Sequence, residues 1–197
     1  MIPTTDLWTI ENYCKEKYGT QEKVIGIMIA RYSLEEVKHI VEENYNYWNH
    51  LSGKEFDVFW IGYESIDFPA YSDWKKVRGI NSLFYSDKIL SFEVKKLRKE
   101  KFIDYRDGGC TLILVKYNGN ELDFSDYLIK DLLEIRTRAN LRKYMDSVID
   151  FASCNLPISQ IRKNLPKNLF ANVGGVISLV TPLVGPLLEW IAKAINS

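Results

Sequence analysis

The chain lacks an excess of charge of either sign. Its 197 residues contain 26 Lys and Arg against 26 Asp and Glu, so the formal net charge is zero. Proteins that bind nucleic acids generally carry a basic excess, because they must neutralise phosphates. We therefore expect no nucleic-acid partner. A net charge of zero also favours self-association, since it provides little repulsion between copies.

Cysteine and histidine are scarce. Cys14, Cys110 and Cys154 lie far apart, and an odd, sparse set is not typical of a secreted disulfide framework. The first residues lack the basic and apolar regions of a signal peptide, so we predict a cytoplasmic location. His39 and His50 would lie about 16 Å apart along one helix. We therefore expect no metal site and no cofactor.

Motifs that would indicate a specific reaction are also missing. The glycine pairs at 108–109 and 174–175 are not followed by the Lys-Ser/Thr of a phosphate-binding loop. The candidate nucleophile is Cys110, for which the alternative is a small buried residue at the start of a strand. Only Arg106 supplies a nearby cation, which gives slight support for a reactive thiolate. We therefore favour the buried alternative and a protein without catalytic activity.

Helical and strand patterns alternate along the first 155 residues. Apolar spacing predicts helices over 6–18, 34–51, 87–101 and 141–154, and strands over 24–30, 56–62 and 110–116. Ser33 and Glu36 form the pattern of a capping box. A helix between the first two predicted strands implies that they pair in parallel.

Two further stretches complete this prediction. Asn118-Gly119 predicts a hairpin that returns along a strand over 121–124. We expect Ser125 to cap a helix that continues to about Arg138. Residues 63–86 are predicted to be an irregular loop with a short helix near 74–80.

This order of elements resembles that of the thioredoxin-like superfamily. Residues 109–122 (GCTLILVKYNGNEL) are similar to the family's segment of strand, lysine and Asn-Gly turn, and residues 56–60 (FDVFW) resemble the strand before its catalytic turn. The resemblance implies a three-layer α/β/α domain over 1–155 with a small mixed sheet of about four strands. Residues 61–66 contain no redox cysteines, and Cys110 replaces the family's cis-proline. The resemblance therefore implies a redox-inactive member that is used for binding.

Aromatic residues concentrate around the second predicted strand and the loop after it. Exposed aromatic side chains are typical of protein interfaces. We therefore predict that Tyr63, Tyr71 and Trp74 contact a partner.

The C-terminal part of the chain is strongly apolar. Residues 168–188 contain no charged side chain and follow a basic stretch, and about 20 apolar residues can span a bilayer. Pro182 and Pro186 favour a kinked or broken pair of helices instead. We therefore predict a helical extension over 156–197, with Leu183, Leu187 and Trp190 as partner contacts.

Three uses of this extension remain open: packing on its own domain or in a homo-oligomer, docking on a partner protein, and insertion into a membrane. The main prediction is a non-catalytic interaction, accessory or effector subunit that associates through the extension. One alternative is a membrane-associating effector of a bacterial defence or toxin system, which would place the protein peripherally on a membrane. The other is a thiol-dependent enzyme that uses Cys110.

Overall fold

A computed structural model describes residues 1–51, 56–66, 73–101, 103, 109–135 and 137–166. Within these residues the α-helices are α1 (Leu7–Tyr18), α2 (Glu35–Leu51), α3 (Asp87–Glu100), α4 (Arg138–Ser153) and α5 (Ile158–Asn164). The strands are β1 (Ile2–Thr4), β2 (Lys23–Ala30), β3 (Val58–Ile61), β4 (Tyr63–Ser65), β5 (Lys75–Lys76), β6 (Leu83–Tyr85), β7 (Cys110–Tyr117) and β8 (Leu122–Asp131). A short 3₁₀ helix, Leu132–Glu134, follows β8.

The main sheet is mixed and has five strands in the order β1-β3-β2-β7-β8. Strand β3 pairs in parallel with β1 and with β2, whereas β7 pairs antiparallel with both β2 and β8. Helix α2 connects β2 to β3, so the predicted parallel crossover is present. The sheet has one strand more than the sequence predicted.

Strands β2 and β7 form the centre of the core. Residues 24–30 of β2 are all buried, as the continuous apolar run predicts for a strand that is covered on both faces. Helix α4 packs on β2 and on α2. The backbone N–H of Leu7 in α1 donates to Glu93 in α3, with 3.3 Å between the atoms. These contacts group α2 with α4 and α1 with α3.

Residues 63–85 differ from the predicted loop and short helix. Their described parts form a second, three-stranded antiparallel sheet in the order β4-β6-β5, which we call the small sheet. Tyr63 stands opposite Tyr85 in this sheet, and both side chains are buried. These strands have only two or three residues each, which is too short for a periodic pattern in the sequence.

The helix predicted from Ser125 is wrong, because β8 continues to Asp131. The pairing of β7 with β8 has an irregularity between Lys116↔Asp123 and Leu114↔Leu128. Within it the Ser125 N–H donates to Oδ1 of Asp123 at 2.8 Å. A local side-chain-to-backbone bond of this kind occurs at bulges and turns as well as at helix starts. Asp123, Ser125 and Asp126 therefore mark a bulge.

Residues 158–164 form a helix that packs on β7, β8 and α4. Ile158, Ile161 and Leu165 are buried against the core. The first residues of the predicted 156–197 extension therefore contact the sheet, and the division of the chain after residue 155 remains a prediction. Residues 167–197, including the apolar run, lie outside the described residues. No helix among the described residues is long and apolar enough to cross a membrane.

Candidate functional site

The candidate site lies where the turn before α2 meets the start of α3. Residues 31–34 follow the carboxyl end of β2 and lead into α2, and Asp87 opens α3 directly after β6. The Arg31 N–H donates to the carbonyl of Gly109 at 2.7 Å, which ties this turn to the start of β7. Open α/β sheets commonly bind ligands at the carboxyl ends of their parallel strands. The position therefore makes these residues the first candidates for a functional site.

Asp87 is the centre of this site. Its Oδ1 accepts hydrogen bonds from the Tyr85 hydroxyl at 2.5 Å, the Ser33 hydroxyl at 2.9 Å and Nη1 of Arg31 at 3.2 Å. Its Oδ2 lies 3.4 Å from Nζ of Lys75. We call Arg31, Ser33, Lys75, Tyr85 and Asp87 the Asp87 cluster.

The pKa values in this cluster do not favour proton transfer. Burial alone would raise the pKa of Asp87, but the hydrogen bonds from Tyr85, Ser33 and Lys75 outweigh it and lower that pKa. Burial and the hydrogen bond to Asp87 raise the pKa of the Tyr85 hydroxyl. A carboxylate with a lowered pKa is a weak base, and a phenol with a raised pKa stays protonated at neutral pH. The cluster therefore holds the turn before α2, residues 31–34, against the small sheet.

A second polar contact joins the small sheet to α2. Glu42 accepts from the Tyr32 hydroxyl and from Nη2 of Arg78, each at 2.6 Å. The Tyr32 hydroxyl in turn accepts from the Arg78 N–H at 2.9 Å. The hydrogen bond from Arg78 is the main cause that lowers the pKa of Glu42. This contact and the Asp87 cluster together fix the small sheet at two points.

Cys110 is fully buried at the first position of β7. It stands opposite Ala30 in the sheet. Burial, and then the charge of Asp131, raise the pKa of its thiol far above the usual range. Because the thiolate is the reactive form, this environment gives no support to a nucleophilic role.

Two of the aromatic residues predicted to contact a partner are buried. The Tyr63 side chain is fully buried, and its hydroxyl donates to the carbonyl of Ala30 at 2.7 Å. Trp74 is 9% exposed. Both side chains are part of the interior of the fold. The other predicted contacts lie outside the described residues: Tyr71, Leu183, Leu187 and Trp190.

The most exposed large apolar side chains of the described residues are Trp8 and Phe92, at 67% and 65%. Sequence reasoning did not single them out, because each occupies one position on an amphipathic helix. It also missed the Asp87 cluster. Ser33 fits a helix cap by its local sequence, but α2 begins at Glu35 and the Ser33 hydroxyl donates to Asp87, which lies 54 residues away. The available signal was the position of polar residues 31 and 33 directly after a buried strand.

An apolar groove lies along β8, which is one of the two edge strands of the main sheet. It is lined by Tyr127, Leu128, Ile129, Lys130, Tyr144, Arg162, Leu165 and Pro166. Strand β8, helix α4 and the end of α5 therefore all contribute to it. We call it the β8 groove.

No group of three His, Cys, Asp or Glu side chains in the described part of the chain is placed to hold a metal ion. Comparisons of the chain with models of protein families, with curated proteins and with solved structures find no match.

Proposed function

We propose that this protein is a non-catalytic interaction subunit that associates with a partner protein, or with a second copy of itself, through residues 168–195. The observation that carries the proposal is the uncharged run at 168–188, which follows a domain with its own closed core. A contiguous apolar segment of this length is unfavourable in water, so it gains free energy when another apolar surface covers it. Its prolines and glycines favour a docking element with a bend over a straight span.

The proposal includes a thioredoxin-like layout for residues 1–155. Two features support it: the parallel pair of β2 and β3 with α2 between them, and the antiparallel hairpin of β7 and β8 placed beside β2. The second sheet, β4-β6-β5, is an addition to the elements that the resemblance implies. The layout alone does not specify an activity, because one fold can carry many functions.

A binding role also fits the chemistry of the described residues better than catalysis. The Cys110 thiol has no access to solvent, and the Asp87 carboxylate accepts hydrogen bonds from four neighbouring side chains. A general base or nucleophile needs an accessible atom with a pKa near the working pH. The thiol-dependent alternative therefore has less support than the binding role.

The test compares two triple variants of the full chain. One carries Leu183→Ser, Leu187→Ser and Trp190→Ser. The control carries Trp8→Ser, Phe92→Ser and Leu34→Ser, which change exposed apolar side chains of the domain instead. Light scattering after size exclusion gives the mass, and circular dichroism checks that both variants fold. We expect the wild type and the control to associate and the tail variant to be monomeric. Equal masses for all three proteins would contradict association between copies of this chain.

A membrane-associating effector is the second candidate, because the uncharged run has the length of a bilayer span and follows Arg162, Lys163 and Lys167. Flotation with vesicles that contain anionic phosphatidylserine distinguishes the two. If the tail docks on protein, the wild type stays at the bottom of the gradient. If it enters membranes, the wild type floats and the tail variant does not.

A further inference from the structure

The β8 groove runs along the outer edge of the main sheet. Four consecutive residues, 127–130, line it. Consecutive side chains of a strand point to opposite faces, so a groove that touches all four lies at the strand's edge. Among the described strands β8 pairs only with β7, so its other edge faces the groove.

The described residues cover only part of this edge. Nη2 of Arg162 donates to the Tyr127 carbonyl at 2.6 Å and to Oδ1 of Asp126 at 2.8 Å, so α5 closes one end of it. Beyond this contact the lining is mainly apolar and includes Ile129, Leu165 and Pro166. An uncovered edge with apolar neighbours promotes unwanted strand pairing, and folded proteins usually cover it.

The chain itself provides the nearest cover. Pro166 forms part of the groove wall, and the next residues are Lys167, Asn168, Leu169 and Phe170. Four residues extend at most about 14 Å, so the Phe170 side chain is within reach of the groove. The cavity has a volume of about 250 Å³. A cavity of about 150 Å³ already admits a benzene ring, so one large apolar side chain fits.

We infer that the β8 groove is the docking site for residues 168–173 of the same chain, with the Phe170 ring as its main occupant. The covalent link makes this contact intramolecular, and short links give effective concentrations of about millimolar. Gly174-Gly175 follows directly and allows the chain to change direction. The inference rests on the proposed function for the role of the remaining residues. Residues 168–173 are held on the domain, and residues 174–195, with Leu183, Leu187 and Trp190, stay available for the association.

Cross-linking within the full chain tests this contact. In a Cys154→Ser background, Ile129→Cys is combined with Ala171→Cys, which leaves Phe170 in place. The matched control combines Ala171→Cys with Trp8→Cys on α1, which lies beside β1 at the other edge of the sheet. A short bis-maleimide is added to dilute protein, and mass spectrometry distinguishes monomers with an internal link from linked dimers.

We expect the 129/171 pair to form the internal link about tenfold faster than the control, because the groove holds residue 171 near Ile129. Adding Phe170→Ala should remove most of that difference. A linked dimer as the main product would show that a second copy fills the groove, and rates equal to the control would show that the segment does not dock there. Either result overturns the inference. The Leu183, Leu187 and Trp190 variant tests the proposed function separately, because its mass does not depend on this link.

Discussion

The ammonium of Lys17 lies 2.7 Å from Oδ2 of Asp57, and the carboxylate is almost completely shielded from solvent. The Tyr18 hydroxyl donates to the same oxygen at 2.5 Å. The pair joins the end of α1 to the residue that precedes β3. Oδ1 of Asp57 has no hydrogen-bond partner among the described residues. The stability of this end of the sheet therefore depends on the contacts at Oδ2.

Lys17→Met should lower the free energy of unfolding by about 3 kcal/mol, since it removes the cation that contacts a buried carboxylate. Urea unfolding at pH 7 measures the loss. The double variant Lys17→Met with Asp57→Asn should recover most of it, because the amide carries no charge that needs a partner. A double variant that is less stable than Lys17→Met would show that the carboxylate contributes in another way.

Asp87→Asn should lower stability at pH 7 by about 1 kcal/mol, a small effect because Asp87 is about one-third exposed and solvent screens its ion pairs. Its pKa is lowered in the folded state, so its contribution is present above the unfolded pKa and is lost as the pH falls through the lower, folded pKa. The wild type and the variant should therefore differ at pH 7, and the difference should shrink progressively as the pH falls below about 4. Thermal unfolding across this range measures the difference, and a gap that widens in acid would contradict the expectation.

Glu93→Gln should raise stability at pH 7, the opposite effect to that of Asp87→Asn. Burial raises the pKa of Glu93 in the folded state, and its Oε2 accepts from the Leu7 N–H. The folded protein then holds this proton more tightly than the unfolded chain, so ionisation destabilises it as the pH rises from about 4.5 through the folded pKa. The amide keeps an acceptor for Leu7 without the charge. We expect a gain of up to about 1 kcal/mol at pH 7 and none at pH 4, measured by urea unfolding.

Thiol labelling should distinguish the three cysteines. Cys154 is exposed, whereas Cys14 and Cys110 are buried. Burial, followed by the charge of Asp57, raises the pKa of Cys14 to about 12. Iodoacetamide at pH 7.5 should therefore modify one thiol per native chain and all three in guanidinium chloride. Peptide mass spectrometry identifies each site.

Cys110→Ser gives the control for the thiol-dependent alternative. Its labelling in the native state and its response to peroxide should match those of the wild type. Rapid modification of Cys110 in the native protein would reopen that alternative.

Long elements with a clear period could be predicted from the sequence. The runs at 24–30 and 110–116 correspond to β2 and β7, and the apolar spacing at 6–18 and 87–101 corresponds to α1 and α3. Burial on both faces of a strand, or on one face of a helix, leaves a pattern within a single stretch of residues. Such elements can be predicted without knowing which other elements they contact.

The missed features depend on contacts between distant residues. The local sequence predicts Ser33 as a helix cap, but its hydroxyl donates to the distant Asp87. It predicts the same for Ser125, but β8 continues beyond it and Leu128 pairs with Leu114 of β7. Local hydrogen-bonding residues suit caps, turns and bulges alike. The small sheet was missed because its pairing joins residues 63–65 to 83–85 across a stretch without periodicity. Tertiary pairing, which a single sequence does not display, decided each of these cases.

Asn155 links the turn after α4 to β2, a strand at the centre of the main sheet. Its amide side chain accepts from the Val24 N–H and donates to the Glu22 carbonyl, which attaches the turn after α4 to the start of β2. The chain after α4 is therefore held at two places, by Asn155 on β2 and by Arg162 on β8. Movement of the C-terminal segment is therefore coupled to β2, which has a neighbouring strand on each side.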